Sequence, residues 1–444
     1  MLKPRIGCYA VYEAAEEDWQ NHEQQLAHIC ADLTDAGTEV IAAPEPVYDE
    51  ASCRRVAAWF ADKHVDVLHP VVINWSFDHY SVMIYQHREA PLAVRSIPGI
   101  RTGSIVGGVQ LGCLLSDLSI EHKLLYGPLG SRAVAAETAQ YAKACMLKNR
   151  LKGTRFAVVG ARTPGMTPVA VDEVEILRLF GISLINLGWE DLMDRARRID
   201  ASQAEDHWRS VSAAAAAVSC SEAHGIAAMQ NYLAMKQLIE EYRLQGLTIG
   251  AYPRCQGTAC LGLALLNDAG IPAGCEGDVN STIVMYMLGL LSHHPVHFGE
   301  ILAVDETENS IITSHCGAAA PSLADESGYS LCPVRLAHSG TCVRFTCRTG
   351  PITYVNLVGR KGNYRMCAVE GDALPTGMVF EGNPLKIRLH TPFGTLWEAI
   401  STYGFGSHWL AAYEHVARIL SEFCRMSGIQ GVFPDRPRMS SHDV

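Results

Sequence analysis

At 444 residues the chain is too long for one compact core, and with 48% apolar residues it can fill two or three. A net charge of −11, with basic residues scattered as in Arg195-Ala196-Arg197-Arg198, excludes a nucleic-acid binder, which needs clustered Lys and Arg. The 15 cysteines form no Cys-x-x-Cys pair, so zinc ribbons and thioredoxin-like chemistry are excluded and most thiols read as small buried hydrophobes.

The amino terminus, Met1-Leu2-Lys3-Pro4-Arg5-Ile6, holds no apolar stretch of signal-peptide length. The longest apolar run, near Ile283–Leu291, falls far short of the ~20 residues that span a bilayer. A soluble, cytoplasmic protein with no membrane partner is expected.

In chain order, Arg5–Val11 reads as a strand, Trp19–Ala36 as a helix and Thr38–Ala43 as a strand. Ser52–Lys63 reads as a helix and Val65–Ile73 as a strand ending in Asn74-Trp75-Ser76-Phe77. Such alternation predicts a parallel sheet covered on both faces. Ligands of such sheets sit beyond the carboxyl ends of the strands, which marks Trp75 as a substrate-contact candidate.

The polar, basic stretch around Lys148–Gly153 predicts a domain boundary. A second α/β domain then opens with the strand Arg155–Gly160, the helix Val171–Phe180 and the strand Ile182–Leu187. The loop Gly160-Ala161-Arg162-Thr163-Pro164-Gly165-Met166 lacks the G-x-G-x-x-G spacing of a dinucleotide site. It reads either as a structural turn or as a carrier of Arg162 to a small-molecule site. After about residue 320, Cys342–Arg348, Ile352–Lys361, Asn363–Glu370 and Lys386–Leu389 read as short strands of a β-rich module, closed by a helix His408–Met426. The expected architecture is two Rossmann-like parallel-sheet α/β domains, 1–150 and 151–320, followed by a β-rich, barrel-like domain, 321–444.

The chemistry gathers in Cys275-Glu276-Gly277-Asp278, Phe298-Gly299-Glu300 and Ser314-His315-Cys316-Gly317, within about forty residues, with His408 far downstream. Taken singly, each has a plain structural explanation. Glu276 and Asp278 are acids at the start of a helix, Glu300 a solvated acid at a strand start, His315 a core histidine and His408 a helix cap. Taken together, carboxylates and imidazoles are the ligand set of a divalent ion, with a carboxylate left to move protons.

That combination resembles the L-fucose/L-arabinose isomerase family, and specifically its fucose-isomerase-like branch. The likeness lies in Glu-Gly-Asp before a helix, then Phe-Gly-Glu, then His-Cys-Gly, then Ser407-His408, with the Gly160–Met166 loop also similar. The resemblance implies an enzyme, a metal-dependent sugar ketol-isomerase working on an open-chain hexose or pentose through an ene-diol(ate). It implies Mn²⁺, with Mg²⁺ or Co²⁺ as substitutes, held by Glu276, Glu300, His408 and His315, with Glu276 and Glu300 moving protons. It also implies a homo-oligomer, a trimer or hexamer, whose sites lie at subunit interfaces.

A modified sugar carrying a sulfonate would need an added cation, for which Arg162 and His122 are the candidates. A non-catalytic sugar binder, and an epimerase or hydrolase built on the same ligands, are the competing expectations.

Overall fold

A computed structural model of the chain describes residues 2–250, 252–253, 257–360 and 362–435. The chain divides into two compact units, Met1–Arg150 and Leu151–Val444. Together they give a mixed α/β protein with parallel sheets and a β-rich carboxy-terminal region. Among the described residues no helix is long and apolar enough to cross a membrane.

The first unit alternates strand and helix, as its apolar runs demand. Its strands are β1 (Arg5–Val11), β2 (Glu39–Ala42), β3 (Val67–Val72), β4 (Leu92–Ser96) and β5 (His122–Tyr126). They pair in the order β2-β1-β3-β4-β5, all parallel. The centre of the sheet is buried on both faces, so β3 and β4 carry no exposed residue. The chain reverses its direction of winding between β1 and β3, which opens a crevice beyond their carboxyl ends.

Tyr12 follows β1 there and stacks on Trp19, with ring centroids 5.1 Å apart. Asn74, beyond β3, is fully buried and accepts from the Glu13 N–H at 2.9 Å. Trp75 is half-buried and donates its indole N–H to Gln110 at 3.0 Å. His122 opens β5 at the amino edge of the sheet, and its Nδ1 hydrogen-bonds the Ile120 carbonyl at 2.9 Å.

The second unit begins with β6 (Arg155–Gly160), β7 (Ser183–Leu187), the two-residue β8 (Ala217–Val218), β9 (Gly246–Gly250) and β10 (Ala273–Cys275). Four of them make a parallel sheet in the order β10-β9-β6-β7. The antiparallel region follows with β11 (His297–Asp305), β12 (Ser310–Ser314), β13 (Ser330–Val334), β14 (Ser339–Arg344) and β15 (Gly350–Val358). It ends with β16 (Arg365–Leu374), β17 (Leu385–Leu389), β18 (His408–Ala412) and β19 (Gln430–Val432).

Antiparallel pairing runs β15-β18-β11-β12-β17-β16 and returns to β15, so each of these six strands has a partner on both sides. One hydrophobic cluster joins Trp208 and Leu261 to Ile311, Tyr354 and Trp409. Trp409 stacks on Tyr354 at 4.9 Å and is 1% exposed. Burying such a ring stabilises by roughly 4–6 kcal/mol as an upper figure, which locks β18 onto β15.

Three expectations change. His408 does not open the last helix: it begins β18, and the helix starts at Ala417. The run His408–Ala412 is buried on every side, as a strand with two neighbours must be, whereas the amphipathic helical pattern starts later. Glu300 sits inside β11 rather than at its start, because the strand begins at His297. The strand expected at Cys342–Arg348 ends at Arg344, and its partner β13 went unread.

Candidate active site

Glu276 lies in the turn between β10 and the helix Val279–Ser292. Its φ is +63°, in the left-handed region that residues other than glycine rarely occupy. Gly277 follows at φ +75°, and a Cβ there would stand 2.7 Å from the Arg162 Cα. The Gly160–Met166 loop therefore presses its backbone against this turn, and Thr163 N–H donates to the Glu276 carbonyl at 3.2 Å. A strained backbone held by a neighbouring loop is a frequent mark of a working site.

Asp278 is the cap of that helix. Its Oδ1 accepts the Ser281 N–H at 3.0 Å and its Oδ2 the Ser281 hydroxyl at 2.7 Å. The same Oδ2 also accepts Nδ1–H of His408 at 2.9 Å, from a residue 130 positions away. This fixes the tautomer and plane of the imidazole and turns its Nε2 toward the acids. Nε2 faces Glu276 Oε2 at 3.1 Å and Glu300 Oε1 at 4.0 Å. The contact with Glu276 is close but poorly aligned, so Nε2 is a buried nitrogen without a well-formed hydrogen bond among the described residues.

Register explains how Glu300 arrives here. In the β11–β18 ladder Glu300 stands opposite His408, and in the β11–β12 ladder opposite Ser314. A bulge follows between Ile301 and Ala303, a device that re-aims side chains beside sites. Gly299 is needed because a Cβ would stand 2.6 Å from the Thr313 hydroxyl and 2.8 Å from the His297 ring. His315, one residue past β12, is 6% exposed, and its Nδ1 has no partner among the described residues. Phe298 packs between the two imidazoles, 4.9 Å from His315 and 4.7 Å from His408.

One ligand atom from each of Glu276, His315 and His408 lies within 4.8 Å of the others. Glu300 stands beside this trio rather than within it. Its side chain is 41% exposed, against 13% for Glu276. Burial lifts the Glu276 carboxyl, but the close contact with His408 Nε2 and the charges of His315 and His408 outweigh it, leaving it below the usual range. Glu300 is raised, chiefly by burial and with help from Glu276, against the opposing pull of His408.

Burial, with the charge of His408, pushes His315 down to about 4. Burial opposes protonation of His408 too, yet the Asp278 hydrogen bond, the close Glu276 carboxylate and the charge of both acids lift it to about 10. A cation seated against Nε2 would displace that proton.

A cavity of about 200 Å³ lies on the Asp278 side of His408, lined among others by Met166, Val169, Ser281, Asn356 and Ser407. Asn356 fixes its rim by donating to the carbonyls of His408 and Gly406, at 2.6 and 3.0 Å. Arg162 is exposed and makes no ion pair among the described residues. Trp75 and His122 belong to the first unit. Sequence reasoning gave Asp278 only a helix-start role and passed over Asn356. The Glu-Gly-Asp spacing held a clue to the first, since a glycine turn between two acids can aim them at one imidazole from two sides.

No family model matches the chain. Over 366 residues it is 24% identical to a protein of Alkalicoccus urumqiensis named sulfoquinovose isomerase, covering 80% of this chain and 81% of that one. A protein of the same name from Priestia megaterium is 22% identical over 371 residues, 81% of this chain and 83% of its own. Another, from a Clostridium species, is 26% identical over 326 residues, 71% and 73% of the two chains.

Proposed function

We propose that the chain is a metal-dependent aldose–ketose isomerase acting on an open-chain sulfonated hexose of the sulfoquinovose kind. The gathering of Glu276, His315 and His408, with Glu300 alongside, carries this reading. Relatives named sulfoquinovose isomerase, matched over most of the chain, support a sugar ketol-isomerase. The parallel sheets are read as Rossmann-like, and the closed ring of six strands as the barrel-like module that positions the site.

The donor set fits a divalent ion. Two buried ring nitrogens, His315 Nδ1 and His408 Nε2, lack well-formed hydrogen bonds beside a carboxylate that stays ionised. Imidazole with carboxylate suits Mn²⁺, with Mg²⁺ or Co²⁺ as substitutes. When bound, such an ion supplies Lewis-acid polarisation and a template for the two adjacent sugar oxygens.

The chain's own residues do the rest. Asp278 holds His408 in one tautomer and orientation. Glu300, solvent-reaching and 4.0 Å from His408 Nε2, is placed to take the proton from C2 of the aldose and return it to C1. The O2 proton passes to O1 with Glu276 as carrier, so atoms balance without any further reactant. Arg162, exposed beside the Glu276 turn, is assigned to the sulfonate. The family resemblance extends the proposal to a cytoplasmic homo-oligomer, which sedimentation would check.

The test uses Glu276→Gln and Glu300→Gln with Mn²⁺, sulfoquinovose and D₂O. Turnover should fall by about 10²–10⁴ in each. Glu276→Gln should also lose bound metal, whereas Glu300→Gln should retain most of it and lose incorporation of solvent deuterium into the ketose. Near-normal turnover in both variants would sink the proposal. Equal turnover of the unsulfonated hexose, or an unchanged KM in Arg162→Ala, would overturn the sulfonate assignment.

A further inference from the structure

We propose a second transition-metal site on the β-rich region, formed by Asp372, His390 and His415 and sharing no residue with the Glu276 cluster. One ligand atom from each of the three lies within 4.8 Å of the others. The donor set is one carboxylate and two imidazoles, which selects borderline ions such as Zn²⁺, Co²⁺, Ni²⁺ or Cu²⁺ over Mg²⁺ or Ca²⁺.

Three independent pieces of backbone bring these side chains together. Asp372 is on β16, opposite Arg388 of β17, with which it makes no ion pair among the described residues. His390 is the residue after β17, and its N–H donates to the Glu370 carbonyl at 2.9 Å, which continues the β16–β17 pairing. His415 lies in the turn after β18. The next two residues are pinned: Val416 N–H donates to the Thr353 hydroxyl at 2.9 Å and Ala417 N–H to Glu370 Oε1 at 3.2 Å. None of the three has a left-handed φ. Asp372 thus sits in the ladder itself, while His390 and His415 follow strand ends whose neighbouring main chain is hydrogen-bonded in place, which holds ligand geometry better than a mobile loop.

The ring orientations point the same way. His415 Nε2 is 3.2 Å from the Gly371 carbonyl, which can only accept, so Nε2 carries the proton and Nδ1 is left with its lone pair. An imidazole anchored to a main-chain carbonyl by one nitrogen and free at the other is the usual state of a metal-ligating histidine. The His390 ring stands edge-on to it at 5.3 Å, with Nε2 2.8 Å from Asp372 Oδ2. The side chains of Asp372 and His390 are 52% and 42% exposed, so an ion has open access and room for water ligands. Glu370, two residues from Asp372 on β16, and Asp435, whose Oδ2 accepts the Glu370 N–H at 2.8 Å, add negative charge to this region. Three protein ligands with open positions describe an exchangeable site rather than a closed structural one.

The experiment is a calorimetric titration of chelator-stripped full-length protein with Co²⁺ and with Zn²⁺. Wild type should show two classes of binding. His390→Ala and Asp372→Asn should each weaken one class by about tenfold or more while leaving the other intact. Glu276→Gln should remove the other class, so failure of either site is read separately. Because the altered side chains are exposed, the metal-free melting temperature should hold in both variants, and Zn²⁺ should raise it less than in wild type. Wild-type titration curves in both His390→Ala and Asp372→Asn would show a plain hydrogen-bonded pair and overturn the proposal.

Discussion

The second unit holds two clusters of the same chemistry, Glu276/His315/His408 and Asp372/His390/His415, and they differ in burial and in what supports them. In both, one imidazole is pinned through one nitrogen so that the other is left for a ligand. The pin is a carboxylate, Asp278, for His408 and a main-chain carbonyl, Gly371, for His415. The first cluster is buried, so ring nitrogens there need a partner more than exposed ones do, and a bound ion would supply it. The second is bathed in solvent and has no such need. The first also hangs on a left-handed turn at Glu276 and Gly277, whereas none of the second's three residues has a left-handed φ. Burial and strain thus go with the cluster proposed to do chemistry, and the open setting with the one proposed only to bind.

The largest expected break in this comparison is Asp278→Asn. Asparagine still caps the helix through its oxygen, but its amide nitrogen replaces the Oδ2 that accepts from Ser281 and His408, so stability should fall by about 1–3 kcal/mol. The orienting carboxylate is lost, and metal affinity at the buried cluster should fall about 10–100-fold. Unchanged affinity by calorimetry would mean that packing by Phe298 and Asn356, not the carboxylate, sets the ring.

Gly277→Ala tests the strained turn. A Cβ at φ +75° meets the Arg162 backbone, so unfolding in denaturant should show a loss of about 1–3 kcal/mol. Turnover should drop with it, because Glu276 moves; full stability and activity would show that the turn carries no constraint.

The smallest effect belongs to the exposed cluster. His415→Ala, without added metal, should change stability by no more than about 0.5 kcal/mol and leave turnover unaltered. A larger loss in a metal-free melt would mean that the ring supports the turn after β18 by itself.

Much of the regular structure was legible. The strands Arg5–Val11 and Arg155–Gly160 were read to the residue, because a buried strand must be largely apolar along its length and these runs are bounded by polar or turn residues. The helix after Asp278 was legible for the opposite reason, since an acid at its start signals the cap. His408 was misplaced because a short run that is apolar all round has no period, and the amphipathic helix just beyond drew the assignment toward itself.

By itself, then, the sequence determined many of the strands and helices, though not β13 or the strand at His408, and which residue types could hold an ion. Those properties depend on neighbours along the chain and on side-chain chemistry. Tertiary structure decided the rest: that His408 is a strand residue facing Glu300, that Asp278 both caps a helix and orients an imidazole, and that Asp372, His390 and His415 meet at all. The first is a matter of register between strands distant in sequence, and the others of how turns and strand ends far apart in the chain are brought together. A shift of one residue turns every side chain to the other face, and that choice is made by the packing of the whole core.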